Sequence, residues 1–515
     1  MTTLKSYLCG RWQAGGGEPA VLVNPATAQA LAEVRSDGLD RAAALAHARE
    51  AGGPALRTLG FARRAELLDR MSKVLHERRD ELLEIAIQNG GNTRSDAKFD
   101  VDGATSTLAA YARLGAALGD GQVLPDGEGT QLGRSPRFFG RHLLAPRHGV
   151  AVQINAFNFP AWGFAEKAAC ALLAGVPLLC KPATSTCLLA VRMFEILVEH
   201  GELPEGSIQL LSGAAGDLLD HLGPQDLLAF TGSADTGLEL RGRRNLLQHS
   251  VRVNIEADSL NAAVLAPSFE EETYDLFLQD VVRELTQKAG QKCTAIRRIL
   301  VPDDAVERVR ADLLERLSQY VVGDPARPDV RVGPLATRRQ LEDARAGLRR
   351  LSECATIVLG GPDPVEDLPE ANRAGYFLRP TLLIAKDSRR ADAVHQHEVF
   401  GPVATLLPYD GTAAGAGELV SRGHGCLVSS AYGDDRRWMR EIVEALLPWN
   451  GRIYLGSAQA AGVAPGPGVA LPDLVHGGPG RAGGGQELGG LRGLDFYMQR
   501  TAVQGFKGLL DRLSS

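Results

Sequence analysis

The stretch from Gly149 to Thr184, GVAVQINAFNFPAWGFAEKAACALLAGVPLLCKPAT, decides the fold. It contains a short apolar run at Gly149–Ile154, a helical pattern at Ala161–Ala174 and a second apolar run at Val176–Cys180. Short apolar runs that alternate with helices indicate β-α-β units, whose parallel strands are buried on both faces. The sequence therefore predicts an α/β fold built on a parallel sheet.

The same alternation continues along the chain. A helical pattern at Leu188–His200 is followed by apolar runs at Ile208–Leu211, Leu227–Phe230 and Arg252–Ile255. Between the first two of these runs, a short helix is expected at Gly216–Leu222. Ligands of parallel sheets bind beyond the carboxyl ends of the strands, although no turn here carries the G-x-G-x-x-G fingerprint. The candidate binding residues are those that follow the strands: Asn155–Asn158, Lys181-Pro182, Ser212-Gly213, Thr231-Gly232-Ser233 and Glu256.

A cysteine follows the predicted helix Thr273–Ala289, in the segment Gly290-Gln291-Lys292-Cys293-Thr294-Ala295. Short and flexible neighbours allow its thiol to meet solvent, and thiolates add readily to electrophilic carbonyl carbon. The chain has seven cysteines, however, and a free cysteine most often serves as a small buried hydrophobe. Position alone therefore leaves Cys293 as one candidate nucleophile among several cysteines.

Composition limits the classes of function. A chain of 515 residues exceeds one hydrophobic core, so more than one domain is expected. A net charge of -6 does not indicate binding to nucleic acid or to an anionic membrane, since both attract positively charged proteins. No C-x-x-C pair indicates a metal site, and neither a signal peptide nor a long apolar run is present. We therefore predict a cytoplasmic protein that acts on small molecules.

Several short segments form a known pattern when they are taken in chain order. They are Asn158-Phe159-Pro160, Lys181-Pro182, Phe230-Thr231-Gly232-Ser233, Glu256, Gly290-Gln291-Lys292-Cys293-Thr294 and Glu398-Val399-Phe400-Gly401-Pro402. With their spacing, they resemble the aldehyde dehydrogenase superfamily over nearly the whole chain. The resemblance implies a Rossmann-like parallel-sheet cofactor domain, an α/β catalytic domain and a β-strand oligomerisation arm.

The resemblance also implies domain boundaries. Residues 1–127 and 149–256 would form the cofactor-binding domain, to which part of 453–490 returns, and residues 257–452 the catalytic domain. Residues 128–148 and 491–515 would form the arm. Its unpaired strand edges could pair with a partner subunit, so a homodimer or a higher homo-oligomer is expected.

The family pattern assigns three catalytic roles. Cys293 would attack the aldehyde carbon to form a thiohemiacetal, and hydride loss would leave a thioester. Asn158 and the backbone N–H of Cys293 would hold the alkoxide in an oxyanion hole. Glu256 would activate the water that hydrolyses the thioester. The dipole of the preceding helix would raise the pKa of Cys293, so we expect a thiol that is largely protonated at rest.

A second set of residues would hold the cofactor. Lys181 would reach the adenosine ribose, Ser233 the pyrophosphate and Glu398 the nicotinamide ribose. Thr184 stands where NAD-preferring members often carry glutamate, and its hydroxyl can donate to a 2′-phosphate, so NADP is predicted over NAD. The full predicted set is Ile154, Phe157, Lys181, Thr184, Gly213, Thr231, Gly232, Ser233, Ala257, Glu398 and Phe400.

The chain departs from the usual family pattern at two places. Ala257-Asp258-Ser259 follows Glu256 where Leu-Gly-Gly is usual, so backbone contacts to the nicotinamide are expected to differ there. Ala156-Phe157 stands where Pro-Trp is usual. The stretches Asn254–Asn261 and His476–Gly485 resemble a branch that oxidises CoA-linked semialdehydes. The substrate would then be an aldehyde carried on CoA, with His476 shaping its entrance. Arginines at 134–147, or at 241, 243 and 244, would meet the CoA phosphates.

Two other functions remain open at this point. In a CoA-acylating semialdehyde dehydrogenase, free CoA instead of water would resolve the thioester, and Glu256 argues against this reading. A catalytically silent member of the fold could serve as a structural protein. The joint presence of Cys293, Glu256 and Asn158 argues against that second reading.

Overall fold

The computed structural model describes residues 1–512, so the last three residues of the predicted arm lie outside the described part. Its strands are numbered in chain order: β1 Thr2–Leu4, β2 Ser6–Leu8, β3 Arg11–Gln13, β4 Ala20–Val23, β5 Ala30–Val34, β6 Leu124–Gln131, β7 Phe138–Pro146, β8 Ala151–Ile154, β9 Leu178–Lys181, β10 Ile208–Leu210, β11 Leu227–Thr231, β12 Arg252–Glu256, β13 Ala262–Leu265, β14 Arg298–Pro302, β15 Ala355–Leu359, β16 Thr381–Ala385, β17 Val403–Tyr409, β18 Cys426–Tyr432, β19 Asn450–Gly456, β20 Val475–Gly477, β21 Gln486–Leu488 and β22 Met498–Phe506.

The helices cover the sheets and connect their strands. They are α1 Arg41–His47, α2 Gly53–Thr58, α3 Phe61–Glu77, α4 Arg79–Gly90, α5 Arg94–Leu118, α6 Trp162–Leu173, α7 Cys187–His200, α8 Ala234–Arg241, α9 Arg244–Gln248, α10 Glu271–Thr286, α11 Val306–Ser318, α12 Arg338–Leu351, α13 Asp392–Gln396, α14 Ala413–Ser421, α15 Arg436–Leu446, α16 Arg492–Asp495 and α17 Lys507–Arg512. No helix of the described chain has both the length and the apolar character needed to span a bilayer.

The first large sheet has seven strands in the order β12-β11-β8-β9-β10-β2-β3. Strands β8 to β12 are parallel, as predicted, and β2 and β3 extend the edge in antiparallel pairing. Successive side chains of β8, Ala151 and Val152, enter separate apolar cores on the two faces of the sheet. The strands are apolar throughout because both faces are covered by helices.

The second large sheet has the order β15-β16-β17-β14-β13-β18-β19, parallel except for β15 at one edge. It is also buried on both faces, with Val264 in one core and Ala263 in the other. A separate antiparallel sheet, in the order β22-β7-β6, makes the arm. These sheets use separate strands, and on that basis we retain the predicted division into cofactor, catalytic and arm units as a proposal.

Two predicted helices differ from the structure. The helix expected at Thr273–Ala289 is α10, which ends at Thr286 because Lys288 and Ala289 adopt left-handed φ values of 54° and 51°. A tertiary contact, from the Lys288 backbone N–H to the Asp96 carboxylate at 2.9 Å, accompanies this turn. The helix expected at Gly216–Leu222 is a single 3-10 turn, Leu218–His221.

Candidate active site

The carboxyl ends of four parallel strands meet one loop of the second sheet. Strands β8, β9, β11 and β12 end at Ile154, Lys181, Thr231 and Glu256. The loop after α10 brings Cys293 to this edge through Gly290, where a Cβ would lie 2.2 Å from the Gly401 carbonyl oxygen. Only glycine fits such a close approach at a φ of +66°, and the Cys293 side chain is left half-buried.

Cys293 lies beside a buried histidine and a buried carboxylate. The thiol Sγ is 3.8 Å from Nε2 of His476, and the same nitrogen is 3.2 Å from Oε1 of Glu256. The Thr231 hydroxyl donates to the other Glu256 oxygen at 3.5 Å. His476 and Glu256 are only 4% and 3% exposed, so protein groups surround the pair.

A buried ion cluster lies behind Glu256. The Lys167 ammonium is 3.0 Å from a carboxylate oxygen of Glu166 and 3.0 Å from one of Glu487. Burial raises the pKa of Glu487 well above its usual range, although Lys167 opposes the effect. Charged side chains are tolerated in a protein interior when each one has a partner of opposite charge, and Lys167 has such partners in Glu166 and Glu487.

Three neighbouring groups have shifted pKa values. Burial would raise the pKa of Glu256, but His476 and then Lys167 outweigh it and lower the pKa to about 2. Burial acts to lower the pKa of His476, but Glu256 outweighs it and raises that pKa. Burial, and then the Glu256 charge, raise the pKa of the Cys293 thiol well above its usual value. The arrangement therefore favours the charged forms of His476 and Glu256 and the neutral form of the thiol.

Asn158 lies at the same place, at the end of the loop after β8. Its side-chain Nδ2 donates to the Gln291 carbonyl oxygen at 3.0 Å, which fixes the amide against the thiol loop. The amide group carries a second N–H, and Asn158 lines the cavities on both sides of Cys293. The structure therefore brings together Cys293, Glu256 and Asn158, the three predicted catalytic residues.

An apolar channel leads to Cys293 from one side. Its inner part, about 40 Å³, is lined by Phe99, Phe159 and Trp162 and ends at the thiol. A neighbouring cavity of about 440 Å³ shares Phe99 and Trp162 with it and is also lined by Lys98 and Leu471. Because of the shared residues we treat the two cavities as the inner part and the mouth of one channel. A slender, largely apolar chain that carries one reactive carbon at its end would fit this channel.

A second and larger cavity, about 760 Å³, reaches Cys293 from the carboxyl edge of the first sheet. Its volume lies within the range of cofactor sites, about 300–1,000 Å³. Thr184 and Gly213 do not line it: Thr184 begins a 3-10 turn after Ala183, and Gly213 packs against Ser36 at a φ of +89°. The predicted cofactor residues that do line it are Ile154, Phe157, Lys181, Thr231, Gly232, Ser233, Ala257, Glu398 and Phe400.

Glu398 is linked to the thiol loop by Arg297, which sequence reasoning did not select. The Arg297 Nε lies 3.1 Å from one Glu398 oxygen, and the Ser259 N–H donates to the other at 3.0 Å. Arg297 also donates to the carbonyl oxygen of Gly290, and its guanidinium lies over the Phe400 ring. Burial raises the pKa of Glu398 to about 7, although Arg297 opposes the effect.

Asp258 is a second residue that sequence reasoning did not assign. Its carboxylate accepts the Ala234 N–H at 2.9 Å, so it caps the N-terminus of α8 and lines the larger cavity. Ser233 caps the same helix by accepting the Thr236 N–H at 3.3 Å. The signal for Asp258 was the departure from the family pattern after Glu256, where glycine is usual.

His476 lies deeper in the site than the sequence prediction placed it. It was expected at the substrate entrance, but β20 pairs with β21 so that His476 stands opposite Glu487, at the inner end of the channel. Arg147 is buried and donates to the carbonyl oxygens of Gln225 and Pro224, and Arg241 donates to that of Gly483. Among the described residues, none of the arginines predicted to meet CoA lines the channel: Arg134, Arg137, Arg141, Arg147, Arg241, Arg243 and Arg244.

Comparison with known proteins agrees with this geometry. The model of the aldehyde dehydrogenase family matches residues 12–503. The 3,4-dehydroadipyl-CoA semialdehyde dehydrogenase of Aromatoleum evansii is 46% identical over 479 residues, which are 92% of this chain and 93% of that protein. A putative aldehyde dehydrogenase of Staphylococcus aureus is 25% identical over 98% of both chains.

A solved structure has the same fold. The betaine aldehyde dehydrogenase of Staphylococcus aureus, in complex with NAD+, superposes with a TM-score of 0.84. The superposition covers 98% of this chain and 95% of that one at 22% sequence identity. The fold predicted from the alternating strands and helices is thereby confirmed.

Proposed function

Because the chain belongs to the aldehyde dehydrogenase family, we propose that it oxidises a CoA-linked semialdehyde to the free acid, with NADP as the preferred oxidant. The observation that carries the substrate class is the 46% identity to a 3,4-dehydroadipyl-CoA semialdehyde dehydrogenase along nearly the full length of both chains. We infer that 3,4-dehydroadipyl-CoA semialdehyde, or a close relative, is the substrate.

The larger cavity would hold the cofactor, and its residues fit a dinucleotide. Phe157 and Phe400 both line it and pack edge to face, with their ring centroids 5.8 Å apart, so they form one apolar wall against which a flat ring would lie. Glu398 would accept ribose hydroxyls there, and Lys181 would take the 2′-phosphate of the adenosine ribose. Thr184 does not line the cavity itself but directly follows Ala183, which does, and its hydroxyl would reach the same phosphate at the cavity edge. When bound, NADP supplies the hydride acceptor.

Cys293 is the proposed nucleophile. Its sulfur would add to the aldehyde carbon, giving a thiohemiacetal whose oxygen takes up negative charge. The second amide N–H of Asn158 would donate to that oxygen, and one such donor is worth about 10²–10³ in rate. Because the thiol is neutral and His476 is charged at rest, the thiol proton would pass to the Glu256 carboxylate as the carbon–sulfur bond forms.

The His476–Glu256 pair would hydrolyse the thioester. A carboxylate with a pKa of about 2 is by itself a weak base for water. His476, whose pKa is raised, lies 3.2 Å from Glu256 and is better matched to carry the proton at neutral pH. We propose that Glu256 holds and orients the imidazole, and that His476, after its resting proton has passed to solvent, accepts the proton of the attacking water.

The channel supports a substrate with a narrow reactive end and a bulky remote end. Phe99, Phe159 and Trp162 would enclose the acyl chain. Because the chain leaves water when it enters the channel, an apolar acyl chain would bind better there than a polar one. The CoA portion is too large for the channel, so it would lie outside the mouth. Lys98 is the cation that lines this mouth, and it would meet a phosphate there.

One alternative within enzymes is a CoA-acylating dehydrogenase. That chemistry omits an activated water, so the buried His476–Glu256 pair beside Cys293 favours hydrolysis. The other alternative, a catalytically silent member of the fold, conflicts with the joint placement of Cys293, Asn158 and Glu256 around one cavity. We further propose that the enzyme works in the cytoplasm as a homodimer or higher homo-oligomer.

One experiment tests the proposal. Purified enzyme is given free aldehydes of graded length and CoA-linked semialdehydes, each with NADP and with NAD, and cofactor reduction is followed by absorbance. We expect the highest kcat/KM for a CoA-linked semialdehyde with NADP. Free acid should form at the same rate with and without added CoA. A second CoA thioester formed only with free CoA would establish the acylating reaction instead.

A further inference from the structure

The thiol of Cys293 and the two side chains beside it, Glu256 and His476, form the donor set of a transition-metal site. The ligand atoms of Glu256, Cys293 and His476 all lie within 4.8 Å of one another. A thiolate, an imidazole and a carboxylate are the donors that zinc takes in proteins. We propose that these three residues bind one Zn²⁺ ion, and that this ion reversibly blocks the enzyme.

The spacing suits tetrahedral coordination. With Zn–S of about 2.3 Å and Zn–N or Zn–O of about 2.0–2.1 Å, neighbouring ligand atoms lie about 3.3–3.6 Å apart. The Sγ–Nε2 distance between Cys293 and His476 is 3.8 Å, and the Nε2–Oε1 distance to Glu256 is 3.2 Å. The ligands are thus close to their positions around an ion, and little rearrangement is needed on binding.

The site leaves room for a fourth ligand. Cys293 and Glu256 line both the channel and the larger cavity, so an ion can arrive from either side and keep a water molecule. The one other such group among the described residues, Glu166 with Glu256 and Glu487, already has the Lys167 ammonium 3.0 Å from Glu166 and from Glu487. That lysine repels a divalent cation, which favours the Cys293 side.

Binding replaces protons by the ion. The Cys293 sulfur must lose its proton and His476 must offer a neutral nitrogen, so protons are released as the metal–ligand bonds form. The sulfur lone pair then points to the metal and cannot attack an aldehyde. The loss of activity rests on the proposed function, whereas metal binding itself does not.

The test uses chelator-treated full-length enzyme. Co²⁺ is added first, because a cobalt–thiolate bond gives a charge-transfer absorption that reports the cysteine ligand directly. Zn²⁺ is then titrated against it, and stoichiometry is measured by calorimetry. We expect one ion per chain, loss of aldehyde oxidation in step with zinc binding, full recovery with EDTA, and protection of Cys293 from iodoacetamide.

Ligand variants decide the assignment. Cys293→Ser should abolish the cobalt–thiolate absorption. His476→Phe should weaken zinc binding at least about tenfold, because replacing a residue that only hydrogen-bonds to a metal ligand already lowers metal affinity by about that factor. His148→Asn and Cys354→Ser remove the same residue types elsewhere and should leave binding unchanged. Circular dichroism verifies folding, and Cys293→Ser alone decides if His476→Phe does not fold.

Two results would overturn the zinc site: no cobalt–thiolate absorption in the wild-type enzyme, or equal zinc affinity in the wild type and in Cys293→Ser. An enzyme that binds zinc at these residues but oxidises no aldehyde would contradict the proposed function and leave the metal site standing.

Discussion

At the scale of single residues, the resting thiol gives the first prediction. The pKa of Cys293 is raised by burial and by the Glu256 charge, so the thiol stays protonated until the pH exceeds the usual pKa of a cysteine. Alkylation of metal-free enzyme by iodoacetamide, mapped to the Cys293 peptide, should still accelerate above about pH 9. Glu256→Gln should lower the midpoint by about one unit. A wild-type midpoint below neutrality would refute this resting state.

A second prediction concerns His476. His476→Phe removes the proposed proton carrier but fills similar space, so thioester formation should be affected less than its hydrolysis. We expect a rapid burst of NADPH of about one equivalent, then steady turnover slowed about 10²–10⁴-fold, the usual worth of a general base. His148→Asn, an exposed histidine, is the control. Equal slowing of both phases, without a burst, would remove His476 from the hydrolytic step.

Thr184 gives a third prediction. Thr184→Glu places a carboxylate near the expected 2′-phosphate, and two like charges repel at contact distance. The ratio of kcat/KM for NADP to that for NAD should fall by about tenfold or more, which corresponds to about 1.4 kcal/mol. Thr184→Ser keeps the hydroxyl and should keep the ratio. An unchanged ratio in Thr184→Glu would place the phosphate elsewhere.

The proposed catalytic residues differ in how far the sequence could predict them. Cys293, Glu256 and Asn158 stand in motifs whose neighbours and spacing are themselves informative. His476 stands 220 residues from Glu256 in a glycine-rich segment, and only the pairing of β20 with β21 turns it inward. Sequence reasoning selected the segment but could not predict that His476 is buried beside Cys293, because a short strand between glycines carries no periodic pattern of burial.

At the scale of elements, α8 gives a fourth prediction. Asp258 caps this helix from inside the cofactor cavity, where a pyrophosphate would meet its negative charge. Asp258→Asn keeps an oxygen for the Ala234 N–H and removes the charge. At about 4 Å in a solvated site this is worth about 1 kcal/mol, so KM for the cofactor should fall about fivefold.

The control for Asp258 is Asp235→Asn, since Asp235 lies on the same helix, is exposed and does not line the cavity. It should leave KM for the cofactor unchanged. A KM that rises in Asp258→Asn would mean that the carboxylate helps to bind the cofactor, through a ribose hydroxyl, for example.

The elements themselves were largely predictable. Strands such as β8 and β9 are apolar on both faces because helices cover both sides of the sheet, so their pattern is plain in the sequence. The end of α10 was not predictable. Lys288 and Ala289 are ordinary helix formers, and left-handed φ at such residues is imposed by contacts distant in sequence.

At the scale of the whole molecule, the arm gives a fifth prediction. Strands β22 and β6 are the edges of its sheet, and the apolar side chains of Phe506 and Leu509 are 58% and 50% exposed. A partner subunit would cover them. Light scattering should give at least a dimer for the wild type and single chains for Phe506→Ser with Leu509→Ser. Val463→Ser, an exposed loop residue, should not change the mass, and a monomeric wild type would contradict the proposal.

The channel and the cofactor cavity meet at Cys293, yet the channel mouth and the cofactor cavity share no lining residue. On the proposed assignment, each reactant would have a separate entrance, so neither would have to leave before the other enters. Reduced nucleotide could then be exchanged while the acyl group is still attached to sulfur. In steady-state kinetics, pantetheine fragments of CoA, which lack the adenosine phosphate, should compete with the aldehyde alone, and nicotinamide mononucleotide should compete with the nucleotide alone.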